Sequence, residues 1–128
     1  MNLLLDTHAL IWWLLGDAKL SRPARQSIDD ENNDILVSGA TAWEIATKFR
    51  KGKLPTAGGF ATNLAAIVVE QGFLELAITI RHACHAGLLP PPLRDPFDRM
   101  LVAQSLLENL PLISNETVFD RYGINRIW

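Results

Sequence analysis

Five short apolar runs punctuate the chain, Asn2 to Leu5, Ile35 to Val37, Phe73 to Leu76, Leu112 to Ile113 and Ile124 to Ile127, and none is long enough for a helix. Longer segments with helical signatures separate the first four, so strand and helix alternate. Alternation of this kind needs crossover connections, which join parallel strands and leave helices over both faces of the sheet. The expected fold class is α/β, a three-layer α/β/α domain with a short central parallel sheet. In such folds ligands collect beyond the carboxyl ends of the strands. The residues that follow each run are therefore where chemistry is expected.

The helices are marked by their ends. His8 to Leu15 is helix-forming and stops at Gly16. Ser21, with Pro23 two residues on, reads as an N-cap opening a helix to about Asp29, whose apolar side is Ala24 and Ile28. A third helix, from about Thr41 to Lys51, is terminated by Gly52 and puts Ala42, Ile45, Ala46 and Phe49 on one stripe. Gly58 and Gly59 precede a further helix with Ala61, Leu64, Ala65 and Val68 on one face, closed by Gly72. Thr79 to Ala86 reads as helix, whereas Pro90 to Pro92 can only be a stiff extended connection. The last long helix starts at Pro96 and continues to Asn109.

A chain of 128 residues with 48% hydrophobic content can bury the core of one domain, here expected over residues 1–128. The single cysteine, Cys84, points to no oxidising compartment. Asp6 and His8 interrupt the first apolar stretch and no basic segment precedes it, so neither a signal peptide nor a membrane span is expected, and the cytoplasm is the default. The formal charge of -2 gives no general attraction for nucleic acid. An acidic cluster that binds divalent ions would nevertheless put cations where a phosphate sits.

Four acids follow the runs. Asp6 comes directly after the first, Glu44 lies early in the helix after the second, Asp98 stands in the first turn of the long helix, and Glu116 follows Leu112 and Ile113. The topology assigns all four to one edge of the sheet. Carboxylates brought that close repel, and either raise one another's pKa or share a cation. Magnesium suits them, since it prefers carboxylate oxygen and keeps several waters. A metal there can activate water toward phosphorus and stabilise charge on the leaving oxygen. Phosphodiester hydrolysis is the expected chemistry, with no Ser/His/Asp order, Walker loop or GxGxxG pointing elsewhere. A phosphoacceptor of the response-receiver kind would need a Lys after a later strand, and no Lys follows Lys53.

Each residue also has an ordinary reading. Asp6 can cap the helix after it, Asp95 can cap the helix that carries Asp98, and Glu116 can sit in the first turn of a short helix around Thr117 to Phe119. Glu44 falls nearly opposite the apolar stripe of its helix, with Lys48 as its i+4 partner, which would make a solvated ion pair. Trp12 and Trp13 read mainly as packing residues. His82, Cys84 and His85 lack the spacing of a zinc site. Arg99, Lys48, Arg50, Lys51 and Lys53 form a basic surface beside the acids, able either to guide RNA phosphates or to serve as plain helix-surface charge.

Three segments in order, Leu4-Leu5-Asp6-Thr7-His8-Ala9-Leu10-Ile11-Trp12-Trp13, then Trp43-Glu44-Ile45-Ala46-Thr47-Lys48 with Gly52-Lys53-Leu54, then Asp95-Pro96-Phe97-Asp98-Arg99-Met100-Leu101, resemble the PIN-domain toxins of VapBC toxin–antitoxin modules. The likeness covers nearly the whole chain. It implies an α/β/α PIN domain and an endoribonuclease dependent on Mg²⁺, with Mn²⁺ as the alternative ion. It further implies a protein that restrains growth, commonly forms a homodimer, and is neutralised by a small VapB-like antitoxin. Matched position by position, the family's metal-site acids fall on Asp6, Glu44 and Asp98, and its fourth acid on Glu116, where Ser114-Asn115-Glu116 replaces the usual Thr-x-Asp. The alternative is a catalytically inactive PIN-like module that binds RNA or protein without cutting.

Overall fold

A computed structural model describes residues 1–54 and 58–128. The chain alternates as expected. β1 (Asn2–Leu5) leads to α1 (Thr7–Leu15) and α2 (Arg22–Asp29), then β2 (Asp34–Ser38) to α3 (Gly39–Arg50), α4 (Gly58–Ala61) and α5 (Leu64–Glu70). β3 (Leu74–Leu76) follows, then α6 (Ile80–Leu88), α7 (Pro96–Glu108), β4 (Leu112–Ile113), a 3-10 helix (Thr117–Tyr122) and β5 (Arg126–Ile127). The strands pair in the order β3-β2-β1-β4-β5, and all four pairings are parallel. The chain thus winds outward from β1 in one direction and then returns to continue on its other side. That reversal places a crevice at the carboxyl ends of β1 and β4.

The two-residue period of β1 divides the core. Leu3 and Leu5 join a cluster with Ala9, Leu10, Ala24, Ile28, Ile45 and Phe73 on one face. Leu4 joins Leu101, Val102, Leu112 and Phe119 on the other. The sheet is covered on both faces, which completes the three layers. Among the described residues no helix is long and apolar enough to cross a membrane.

The helix ends match their sequence signals. Ser21 accepts from the Ala24 amide, with Pro23 following it, and Asp95 accepts from the amides of Phe97 and Asp98, whereas Thr79, expected inside its helix, is the N-cap and accepts from the His82 amide. Two expectations fail. The helix expected after Gly58 and Gly59 is two short ones, broken at Thr62 and Asn63, and Ala65 is exposed while Leu64 and Val68 are buried. In α3 the apolar stripe is not the inner face. Of the stripe only Ile45 is buried, while Ala42, Ala46 and Phe49 are exposed and the polar Thr41 and Glu44 are buried beside Ile45. The ordinary reading of Glu44 as half of a solvated ion pair therefore fails, since Glu44 is buried and its pair with Lys48 is part-buried.

Candidate active site

Asp6 is fixed at the crevice by its backbone. Its amide donates to the Ile113 carbonyl of β4 at 3.0 Å, and its carbonyl accepts from Leu10 at 3.1 Å. Its side chain caps α1, with Oδ1 accepting from the Ala9 amide at 2.8 Å. One carboxylate thus closes the strand-to-helix turn and still belongs to the crevice, so its capping bond does not exclude a ligand role. Asp6 is 4% exposed. Burial holds its carboxyl above the usual carboxylate range, although the Ser114 hydroxyl, the Ala9 amide and the His8 charge each pull it back.

Glu44 is 3% exposed. The Thr7 hydroxyl, in the first turn of α1, donates to Glu44 Oε1 at 2.5 Å, and Lys48 Nζ pairs with Oε2 one turn along α3. A carboxylate so far from water needs a donor or a cation on each oxygen, and these two side chains supply both. The α3 start is itself anchored. Ser38 Oγ accepts from the Ala40 amide at 3.0 Å and donates to Gln104 Oε1 on α7 at 2.6 Å, which ties together the helices that carry Glu44 and Asp98.

Asp98 is half-buried in the first turn of α7. Its carboxyl is pushed up to about 7, first by burial and then by the charges of Asp95, Glu44, Asp6 and Glu116 in that order. Only groups within electrostatic reach of one another act this way, so acids from four separate segments share one field. Glu116 is the outermost of them. It is exposed, stands at the N-cap position of the 3-10 helix without a side-chain capping bond, and donates its amide to Ser114 Oγ at 3.0 Å.

The donor set is therefore all hard oxygen at a concentration of negative charge, which fits a divalent cation such as Mg²⁺ in its chemistry. The acids are near one another without being drawn in. Among the described residues, no group of three or more Asp, Glu, His or Cys side chains is placed so that it could hold a metal ion. Both oxygens of Glu44 are already engaged, Oε1 by Thr7 and Oε2 by Lys48.

Arg99 departs from its sequence reading. It was grouped with a surface that could guide phosphates, yet its guanidinium donates to the carbonyls of Ala86, Leu93, Gly87 and Leu89. Four carbonyls leave it little to offer a phosphate, and it instead staples the connection between α6 and α7. Of the zinc-like trio, His82 is buried against Glu108 and the Thr79 amide, whereas Cys84 is exposed. Thr7 and Ser114 are the site residues that sequence reasoning did not single out. Their only signal was adjacency, Thr7 to Asp6 and Ser114 to the Ser-Asn-Glu segment.

The sequence matches the PIN domain family over residues 3–125. The chain belongs to the PIN domain family. It is 36% identical over 61 residues to ribonuclease VapC16 of Mycobacterium tuberculosis (strain ATCC 25618 / H37Rv), a stretch that covers 48% of this chain and 43% of that relative. The match thus spans less than half the length of that protein. In structure the PIN domain described here is similar to VapBC2 from Rickettsia felis bound to a DNA fragment from its promoter, with a TM-score of 0.69 at 15% identity, covering 98% of this chain and 97% of that one. It is also similar to VapBC-1 from nontypeable Haemophilus influenzae, with a TM-score of 0.62 at 16% identity, covering 98% and 96% of the two chains. At such identities these two likenesses speak for the fold.

Proposed function

We propose that this PIN domain, a single unit over residues 1–128, is a divalent-metal-dependent endoribonuclease and the toxin of a VapBC-type module. The observation that carries the reading is the gathering of Asp6, Glu44 and Asp98, buried or half-buried, at one crevice, where burial first and then the charges of Asp95, Glu44, Asp6 and Glu116 push the Asp98 carboxyl up to about 7. A protein does not stabilise itself by gathering buried acids, so a cation partner accounts for them better than folding does. Asp6, Glu44 and Asp98 would hold Mg²⁺ or Mn²⁺, with Glu116 at the rim. The ion would supply water activation and charge neutralisation at an RNA phosphodiester.

The chain's own residues do the positioning. The Ala9 amide and the Ile113 carbonyl fix Asp6 in register with the strand ends, Thr7 orients Glu44, and the Asp95 cap holds the first turn of α7 so that Asp98 faces the same crevice. In the VapC reading, RNA is the substrate, a small VapB-like protein is the antitoxin, the toxin acts as a homodimer, and the setting is the cytoplasm.

The test is an RNA cleavage assay with metal titration on the chain and on Asp6→Asn. That substitution removes charge and hardly any volume. Cleavage that requires Mg²⁺ or Mn²⁺ and is lost in the variant is the expected result. Equal cutting in EDTA, or by the variant, would overturn the assignment. A second reading, a PIN-like module that binds RNA or protein without cutting, draws on the acids not being assembled into a ligand set. RNA bound tightly with no turnover across both metals would select it.

A further inference from the structure

We propose that Lys48 is the built-in counter-ion of the acid cluster, held on Glu44 while no divalent ion is bound and displaced from it when one enters, so that Lys48 sets how tightly the site takes its ion. The inference rests on the divalent-metal reading above and goes beyond it, because it assigns a role to a residue that is no ligand.

Glu44 is 3% exposed and each of its oxygens has a partner, Thr7 on one and Lys48 on the other. Among the described residues Lys48 is the one cation paired with any of the five acids of the crevice, the remaining ion pairs being His82 with Glu108 and Arg126 with Asp120. The ammonium also feels the charges of Asp95 and Asp98 across the crevice. Lys48 therefore stands in the joint field of Glu44, Asp95 and Asp98, which is where a divalent ion would be drawn. Two cations that close to one carboxylate repel, and the weaker one must yield.

Lys48 is built to yield. Its side chain is 29% exposed, on a flexible four-carbon stem that can carry the ammonium out to water. Arg99, bound to four carbonyls, has no such freedom. Both Glu44 oxygens are already engaged, by Thr7 and by Lys48, and among the described residues no three of the acids form a ligand set.

The experiment measures Mn²⁺ binding to the purified full chain at equilibrium, by calorimetry or by the resonance of free Mn²⁺, for wild type, Lys48→Met, Lys48→Gln, Lys48→Arg and Asp6→Asn. With the competing charge gone, Lys48→Met should bind Mn²⁺ at least about tenfold more tightly. Lys48→Gln, which keeps a donor for Glu44 without the charge, should do the same and is the variant to read if Lys48→Met does not fold. Lys48→Arg should bind as wild type does. A thermal melt in EDTA supplies the second readout, since the neutral variants should be less stable without metal and gain more than wild type when Mn²⁺ is added. A residue that merely braces Glu44 would give the opposite sign, with weaker Mn²⁺ binding in the neutral variants. Binding that is unchanged or weaker in both, while wild type binds and Asp6→Asn does not, overturns the role of Lys48 and leaves the metal reading standing. No Mn²⁺ binding by wild type overturns both.

Discussion

Asp98 makes the stability of the metal-free protein depend on pH in a defined direction. Its carboxyl lies at about 7 in the folded chain against 3.8 for the free group. Between those values the folded state holds a proton that the unfolded state has released, so stability falls as pH rises from about 4 to about 7 and stays low above that. The full difference corresponds to about 4 kcal/mol. Asp98 is only half-buried, and solvent screening of the neighbouring charges reduces the expected loss to about 2 kcal/mol. Asp98→Asn carries no charge to bury and should escape it. In urea unfolding with EDTA present, the variant is expected to be more stable than wild type by about 2 kcal/mol at pH 8 and nearly equal to it at pH 4. Adding Mg²⁺ at pH 8 should recover the stability of wild type and leave that of the variant unchanged, because a divalent ion relieves the repulsion the acid creates. Parallel pH profiles for the two proteins would refute the reasoning, since they would mean that Asp98 ionises like an isolated surface carboxyl.

Thr7→Val keeps the shape of the side chain and removes the donor to Glu44 Oε1, so folding in EDTA should weaken by about 1–3 kcal/mol. Unchanged urea stability would show that this hydrogen bond contributes nothing. Arg99→Lys cannot reach the carbonyls of Ala86, Gly87, Leu89 and Leu93 together, and should lower stability by about 2 kcal/mol while leaving the affinity for RNA unaltered. A fall in RNA affinity at full stability, read by filter binding and urea unfolding, would return Arg99 to the phosphate-guiding surface.

The two misjudged helices show where reading from sequence stops. The α3 segment carries more apolar surface on Ala42, Ala46 and Phe49 than on Thr41 and Glu44, so hydrophobic periodicity points its polar side outward, yet that polar side is the buried one. Periodicity scores one helix at a time and cannot know that Thr7, from another helix, will meet Glu44. The break at Thr62 and Asn63 was likewise hidden, because Ala61, Leu64, Ala65 and Val68 are spaced correctly for one continuous face. Arg99 was misread for the same reason, since its four acceptors lie in a connection whose path is set by packing.

What the amino-acid sequence determined by itself is what local chemistry controls. The alternation of strand and helix and the caps at Asp6, Ser21 and Asp95 each depend on residues within a few positions, and so does the placement of an acid just beyond β1 and β4. Tertiary structure decided the environment of those acids. The Glu44–Lys48 pair is local, but the burial of Glu44, its hydrogen bond from Thr7 and the elevated Asp98 carboxyl arise from packing and from groups brought together from distant parts of the chain. Electrostatic energy depends on distance in space and on the water excluded between groups, and neither quantity exists until the layers have closed on the sheet.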